Sequence, residues 1–438
     1  MGWQDEFKRK LTTPEEAVKV VKSGDRLYFT RGNEPIALSM ALLARASELR
    51  NVKIYLPTPG RDLGWYDPGF EDSFQIEVGY ILPVVRQMMV ERRCDYRVGP
   101  LHAAEKWEQD EIDVLFTQLS PPDQHGYCSF GASLWDKKQK VLQARVVLAE
   151  INANLIRTYG ENYVHVSDID YFVEHTPTGR TPGATDLLGR KTTGPGEIEK
   201  RIAEHIGTLI KDGDTMEIGV GAAAEWVARL GILDSRHDLG WHSENTPLGV
   251  LKLAREGVVT GRCKTINTGK LVATAVGGGT KEDMDWVDGN PMCELHPAHY
   301  ILDPCVISAH DNMVAINAAL AVDLTGQIAS ESLGPQMYSG TGGQLAFAIG
   351  AQLSKGGRSI EALPSTAKNG TISRITPMLE PGSVVTVPRT LADIVVTEYG
   401  IARLRGRTQR ERAEALIAIA HPDFRAELKK AAQRLFWP

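Results

Sequence analysis

The chain has 438 residues, enough for two large or three smaller domains at about 150 residues each. Its 42% hydrophobic and 24% charged content is that of a globular protein and excludes disordered and collagen-like classes. Lys plus Arg number 49 against 55 Asp plus Glu, a net charge of −6 with no long single-sign run, which argues against a nucleic-acid partner.

The N-terminal MGWQDEFKRKLTTPEEA lacks the apolar core of a secretory signal, and Glu6 stands where a myristoylation motif needs Ser or Thr. No uncharged apolar run of 18 residues occurs, so no membrane partner is expected. The five cysteines, Cys94, Cys128, Cys263, Cys293 and Cys305, are odd in number and dispersed without a C-x-x-C pair. They suit neither a disulfide framework nor a Cys-rich zinc site, and a cytoplasmic protein is the expectation.

An internal repeat organises the chain. Residues 20–32, VVKSGDRLYFTRG, align with 209–221, LIKDGDTMEIGVG, pairing Gly24 with Gly213, Asp25 with Asp214 and Gly32 with Gly221. Later, PPDQHGYCSFG (121–131) pairs with AVDLTGQIASESLG (321–334) through Asp123/Asp323 and Gly126/Gly326, with Ser129 matched to Ser330 by a one-residue slip. Each copy opens with a charged helical stretch, then a Gly-Asp turn, an apolar strand, a glycine-containing loop and a helical pattern. Further strands are predicted at 52–57, 113–119, 140–152, 299–309 and 383–388. The Gly/Pro/Thr-rich stretch 175–201 reads as a linker. The expected architecture is therefore α/β: two similar open α/β domains related by duplication, 1–190 and 191–438, with the active site in the cleft between them.

Three segments carry candidate chemistry. In MEIGVGAAAEWVARL, Gly219-Val220-Gly221-Ala222-Ala223-Ala224 follows an apolar strand and opens a helix, matching G-x-G-x-x-[GA]. Such a turn can present amides to a phosphate, or can serve only as a tight strand-to-helix connection. The acid that a dinucleotide site wants about 20 residues on would be Asp234, but no strand presents it. The same amides suit the pyrophosphate or pantetheine of coenzyme A. Second, His242-Ser243-Glu244-Asn245 places a carboxylate able to attack a thioester, or, on the other reading, the first turn of a helix capped by Ser243. Third, SGTGGQ (339–344) offers Gly340, Gly342 and Gly343 either as oxyanion donors or as a turn.

The Ser243-Glu244-Asn245 segment followed by Leu248-Gly249 resembles the S-E-N-G segment of family I coenzyme A transferases. SPPDQHGYCSFG (120–131), HVSDIDYFVE (165–174), DNMVAINAA (311–319), SGTGGQ, SKGGRSIEALPSTAKNGTISRI (354–375) and DIVVTEYG-x-A-x-LRG (393–406) are similar to the acetyl-CoA hydrolase/4-hydroxybutyrate CoA-transferase branch, along essentially the whole chain. The resemblance implies a transferase moving CoA from a short-chain acyl-CoA to a small carboxylic acid through a thioester on Glu244. It also implies Glu398 as a second active-site glutamate, Gly343 as oxyanion donor and Lys355 on a CoA phosphate. A homodimer or homotetramer is implied, with no permanently bound cofactor, CoA being a substrate. The sequence departs from the pattern at Thr246, where other members carry glycine.

Several readings stay open at this level. Glu398 could instead form a surface ion pair with Arg403 or Arg405, and His125 with Ser120 could line a pocket or only form a turn. Asp168 and Asp170 have no assignable role, and His296 with His299 lack further metal ligands. The rival functions are an acyl-CoA hydrolase, a catalytically silent acyl-CoA-binding protein and a nicotinamide-dependent oxidoreductase using the Gly219 turn.

Overall fold

The structure is a computed structural model and describes residues 2–32, 34–101, 111–177, 194–277 and 279–437. The chain forms two compact units, one of Met1–Arg190 with Thr274–His299 and one of Lys191–Ala273 with Tyr300–Pro438. They differ from the contiguous pair 1–190 and 191–438 by one excursion, since residues 274–299 pack with the first unit. Much of the predicted linker, 178–193, lies outside the described residues.

The first unit is built on a parallel sheet of β1 (Arg26–Phe29), β2 (Val52–Leu56), β3 (Phe74–Val78), β4 (Cys94–Tyr96), β5 (Val114–Leu119), β6 (Val146–Ile151) and β7 (Tyr171–Glu174), in the order β7-β6-β5-β1-β2-β3-β4. The central strand VLFTQL is buried at every position, as a parallel strand covered on both faces must be.

The second unit repeats this order. β8 (Thr215–Ile218), β9 (Gly240–Asn245), β10 (Met313–Ala318), β11 (Arg358–Ala362) and β12 (Ile394–Thr397) run β12-β11-β10-β8-β9, all parallel, and β13 (Gly400–Arg403) closes the β12 side antiparallel. Helix α1 (Ala222–Arg229) follows β8. Helix α2 (Gln344–Leu353) connects β10 to β11, and α3 (Gln409–Ile419) packs beside β12 and β13. Because β8 leads to β9 in one direction across the sheet and β10 to β11 in the other, right-handed crossovers put α1 and α2 on opposite faces. The core beneath α2 and α3 includes Val322, Ile328, Ala348, Leu363, Val395, Leu404 and Leu416.

The duplication extends to individual hydrogen bonds. Asp25 accepts from the amide of Lys22 at 2.8 Å and Asp214 from that of Lys211 at 2.6 Å, each closing the turn before the first strand of its unit. Gly24 (φ 86°) and Gly213 (φ 76°) provide the left-handed residue in both. In the second pair of turns, Asp123 accepts from the amides of His125 and Tyr127, and Asp323 from those of Thr325 and Gln327. Ser120 N donates to Ser129 O as Leu320 N donates to Ala329 O. The true counterpart of Ser129 is therefore Ala329, and the slip to Ser330 is corrected.

Three predicted strands change. Residues 140–152 begin inside the helix Lys137–Gln143 and turn extended only at Val146. Segment 299–309 is helical in two pieces, because Asp303 caps the helix Pro304–Ser308 and Pro304 fits its first position. Residues 383–388 form only an isolated bridge between Val387 and Ile328. Among the described residues no helix is long and apolar enough to cross a membrane.

Candidate active site

Glu244 lies one residue from the end of β9, in GWHSEN, and is half-buried while its strand neighbours are buried. The segment is a strand and not a helix start, which removes the capping reading; the next helix, Val250–Arg255, begins beyond Thr246-Pro247. Alternation places His242 and Glu244 on one face and Trp241, Ser243 and Asn245 on the other. Thr246 Oγ1 accepts from Trp241 Nε1 at 3.1 Å inside the fold, so the residue that departs from the family pattern anchors the strand tip.

SGTGGQ comes to the same place. The Gly343 amide donates to Glu244 Oε2 at 2.7 Å, and Gly343 is the N-cap of α2, whose positive end therefore faces the carboxylate. A Cβ on Gly343 would lie 2.5 Å from Glu244 Oε2 and 2.6 Å from Leu302 Cδ2. Glycine is needed there for close approach, and the structure brings Glu244 and Gly343 together.

Below them the same sheet face carries polar groups with no motif around them. Glu217 of β8 and Glu361 of β11 are each 1% exposed. Asn317 Nδ2 donates to Glu217 Oε2 at 2.9 Å, and Gln344 Nε2 donates to Glu361 Oε2. Burial, then the Glu244 and Glu361 charges, push the Glu217 carboxyl well above the usual carboxylate range. Burial raises Glu361 to about 7 against the opposing bond from Gln344. His242 Nε2 lies 2.9 Å from Ile301 O and its ring centroid is 4.6 Å from that of His310. Burial lowers His310 to about 3, so that imidazole stays neutral. The only signal these groups leave in the sequence is one polar letter in an apolar strand: Glu217 between Met216 and Ile218, and Glu361 between Ile360 and Ala362.

The Gly219–Ala223 turn behaves differently. A Cβ on Gly219 would meet Asn317 Oδ1 at 2.2 Å and one on Gly221 would meet Ala318 Cβ at 2.5 Å, so both glycines make room for the tip of β10. Gly221 N donates to Glu225 Oε1 at 3.1 Å, which gives the start of α1 an internal carboxylate. Ala222 and Ala223 open that helix, and Val220 is exposed.

The Lys355 side chain is 87% exposed and its ammonium is 3.5 Å from Asp311. Glu398, directly after β12, is buried and accepts from Ser365 N at 2.9 Å and Ser365 Oγ at 2.6 Å. Arg405 pairs with Asp393 instead, which removes the ion-pair reading with that arginine. Four strand steps of about 4.8 Å put β12 roughly 19 Å across the sheet from β9. Elsewhere, His125 sits on the Asp123 turn and Ser120 Oγ bonds Pro121 O, a turn arrangement. Asp168 caps the short helix after His165, Asp170 anchors Val147 N, and His296 lies 3.1 Å from Glu294. Asp234 ends a turn from Gly231 and lies 3.6 Å from Lys252.

The fold and its relatives define an enzyme, an acyl-CoA:carboxylate CoA-transferase. More narrowly, the chain belongs to the acetyl-CoA hydrolase/transferase family: the N-terminal domain profile matches residues 1–178 and the C-terminal one residues 279–432. The chain is 40% identical to the 4-hydroxybutyrate coenzyme A transferase of Clostridium kluyveri, with all of both chains covered. It is 36% identical to the butyryl-CoA:acetate CoA-transferase of Anaerostipes caccae over 99% of this chain and 98% of that one. Among solved structures it is similar to RipA from Yersinia pestis (33% identity, TM-score 0.91, both chains covered fully). A 4-hydroxybutyrate CoA-transferase from Porphyromonas gingivalis matches with 34% identity and a TM-score of 0.79, over 99% of this chain and all of that one.

Proposed function

We propose that the protein transfers CoA from a short-chain acyl-CoA, acetyl- or butyryl-CoA, to a small carboxylic acid such as 4-hydroxybutyrate, by a ping-pong route through a glutamyl-CoA thioester on Glu244. The observation that carries this reading is the 2.7 Å bond from the Gly343 amide to Glu244 Oε2. With Oε2 held, Oε1 attacks the thioester carbonyl, the C–S bond breaks and the CoA thiolate leaves, giving a mixed anhydride. The thiolate then attacks the glutamyl carbonyl carbon, the bond from that carbon to Oε1 breaks, and Oε1 departs with the acyl group as the donor's free carboxylate. Negative charge gathers on Oε2 in that step, where a fixed amide at a helix start stabilises it most. The acceptor carboxylate reverses the sequence, and the thioester energy is conserved throughout.

CoA is in this reading a substrate, with no permanently bound cofactor. The exposed Lys355 is assigned to a CoA phosphate and the Gly219–Ala223 turn to the pyrophosphate or pantetheine of CoA. Glu398, which accepts from Ser365, is the second active-site glutamate of this reading, orienting the nucleophile or the substrate. The 4-hydroxybutyrate and butyryl-CoA activities named for the relatives support the substrate class, and a homodimer or homotetramer is proposed with it.

The test is incubation with a panel of short acyl-CoAs, borohydride trapping and peptide mass spectrometry. A CoA adduct or reduced side chain confined to Glu244, and absent in Glu244→Ala, is expected. Tight binding of every donor without an adduct would overturn the mechanism in favour of a binding protein. Turnover that continues without any carboxylate acceptor would identify a hydrolase.

A further inference from the structure

Glu217 is a buried carboxyl that the proposed reaction does not use, yet it shares the face of the nucleophile. Counted on from the pairing of Met216 with Trp241, Glu217 comes level with His242 and Gly219 with Glu244. On the other side Ile218 pairs with Ile316, which brings Asn317 level with Gly219, and Asn317 pairs with Glu361. Alternate residues of a strand share a face, so Glu217, Glu244, Asn317 and Glu361 all lie on the face that α2 covers through Gly343 and Gln344. Gly219 leaves that face free of a side chain between Glu244 and Asn317. The Asn317 carboxamide fills part of the gap: its Oδ1 lies 2.2 Å from where a Gly219 Cβ would be, and its Nδ2 is tied to Glu217 Oε2.

We propose that Glu217 is a positioning residue for CoA transfer, fixing the orientation of the Asn317 carboxamide beside the nucleophile Glu244. Among the described residues, the bond to Glu217 is what distinguishes the two flipped orientations of the carboxamide. The inference rests on the reading of Glu244 as the CoA carrier.

Charge is the second part of the role. Transfer brings anions to Glu244, first the thiolate and then the acceptor carboxylate, and another ionised carboxyl on that face opposes both. The titratable groups facing Glu217 are Glu244 and His242 from β9 and Glu361 from β11, while Asp393, just before β12, acts on Glu361 and pairs with Arg405. β10 and α2 contribute the untitratable Asn317 and Gln344, and His310 behind His242 is neutral. Burial and the neighbouring carboxylates raise the Glu217 carboxyl well above the usual carboxylate range, so it holds its proton to higher pH than an exposed glutamate. Ionisation of Glu217 as pH rises places a like charge in a low-dielectric site, which slows transfer by about tenfold or more.

The test measures kcat and KM for CoA exchange between butyryl-CoA and acetate from mildly acidic to alkaline pH, in wild type, Glu217→Gln, Glu217→Ala and Glu361→Gln. Wild-type kcat falls on the alkaline side. Glu217→Ala loses about tenfold in kcat with little change in KM, because the orienting acceptor is gone. Glu217→Gln, whose carbonyl accepts the same bond and which never ionises, recovers most of that loss and keeps only the fall that Glu361 contributes near pH 7; Glu361→Gln keeps the fall due to Glu217, and the double variant has none. Infrared difference spectroscopy of the resting Glu361→Gln protein shows a protonated-carboxyl band that vanishes when Glu217→Gln is added. A fall in Glu217→Gln as large as in wild type, no fall in wild type, or an unchanged infrared band overturns the proposal. The adduct on Glu244 tests the underlying mechanism, and the infrared band tests Glu217 without turnover, so the two fail separately.

Discussion

At the scale of single residues, the approach of Gly343 to Glu244 is the tightest constraint in the candidate site. The amide donates to Oε2, and the space where a side chain would begin is already taken by that oxygen and by Leu302 Cδ2. Gly343→Ala must therefore push the carboxylate or the start of α2 aside. Losing one well-placed oxyanion donor typically costs about 10²- to 10³-fold in kcat, and that is the expected fall in CoA exchange. Circular dichroism and thermal melting of the variant should show the fold retained, since Gly343 caps α2 without any side-chain bond of its own. A kcat within about threefold of wild type would separate Gly343 from the chemistry. Glu244 and Gly343 were both legible in the sequence because each sits in a short polar or glycine-rich motif that interrupts apolar surroundings. Glu217 and Glu361 were not, because one carboxyl inside a strand has the same letters whether it faces water or a buried neighbour. Its partners, Asn317 and Gln344, come from distant segments and are set by strand order alone.

At the scale of elements, the duplicated Asp turns provide a matched pair in different environments. Asp323 is fully buried and its Oδ1 and Oδ2 accept from Thr325 N, Thr325 Oγ1, Gln327 N and Gln327 Nε2 at 2.6 to 3.1 Å. Asp123 makes the equivalent backbone bonds at a solvent-exposed turn, with Arg157 3.8 Å away. Removing the carboxylate strands several buried donors in the second unit, whereas water replaces it in the first. Asp323→Ala should cost about 3 kcal/mol and Asp123→Ala about 1 kcal/mol. Equal losses in chemical denaturation would show that burial does not distinguish the two turns. The repeat could be read from sequence because its marks are local: Gly-Asp before a strand and Asp-x-x-Gly in a turn. Its exact register could not, since the Ser129 position holds an alanine in the second copy and a neighbouring serine invites a false slip. Segment 299–309 was misread as a strand for a related reason. Its apolar content is that of a strand, and only Asp303-Pro304 signals the helix that forms.

At the scale of the whole molecule, two buried groups of opposite charge type make stability depend on pH in opposite directions. Glu361 in the second unit titrates near 7 instead of 4.5. Between those values the native state holds a proton that the unfolded chain has lost, so stability falls as pH rises from 4.5 to 7 and is flat above. Lys137 in the first unit is fully buried, its ammonium is without a hydrogen-bond partner, and burial lowers it from 10.5 to about 7. Here the unfolded chain holds the extra proton, so stability rises as pH increases from 7 to 10.5. The two effects meet near neutrality, where each removes stability that the molecule has on one side of it. Glu361→Gln should therefore gain on wild type progressively between pH 4.5 and 7, by about 3 kcal/mol at the top of that window. Lys137→Met should show its largest gain at and below pH 7 and lose about 4 kcal/mol of it by pH 10.5. Calorimetric melting across this range decides the matter through the differences between variant and wild type, in which all other titrating groups cancel. A Glu361→Gln difference that is constant from pH 4.5 to 7 would mean that this carboxyl ionises in the folded protein as it does in water, and that the sheet face beneath α2 is wet rather than sealed.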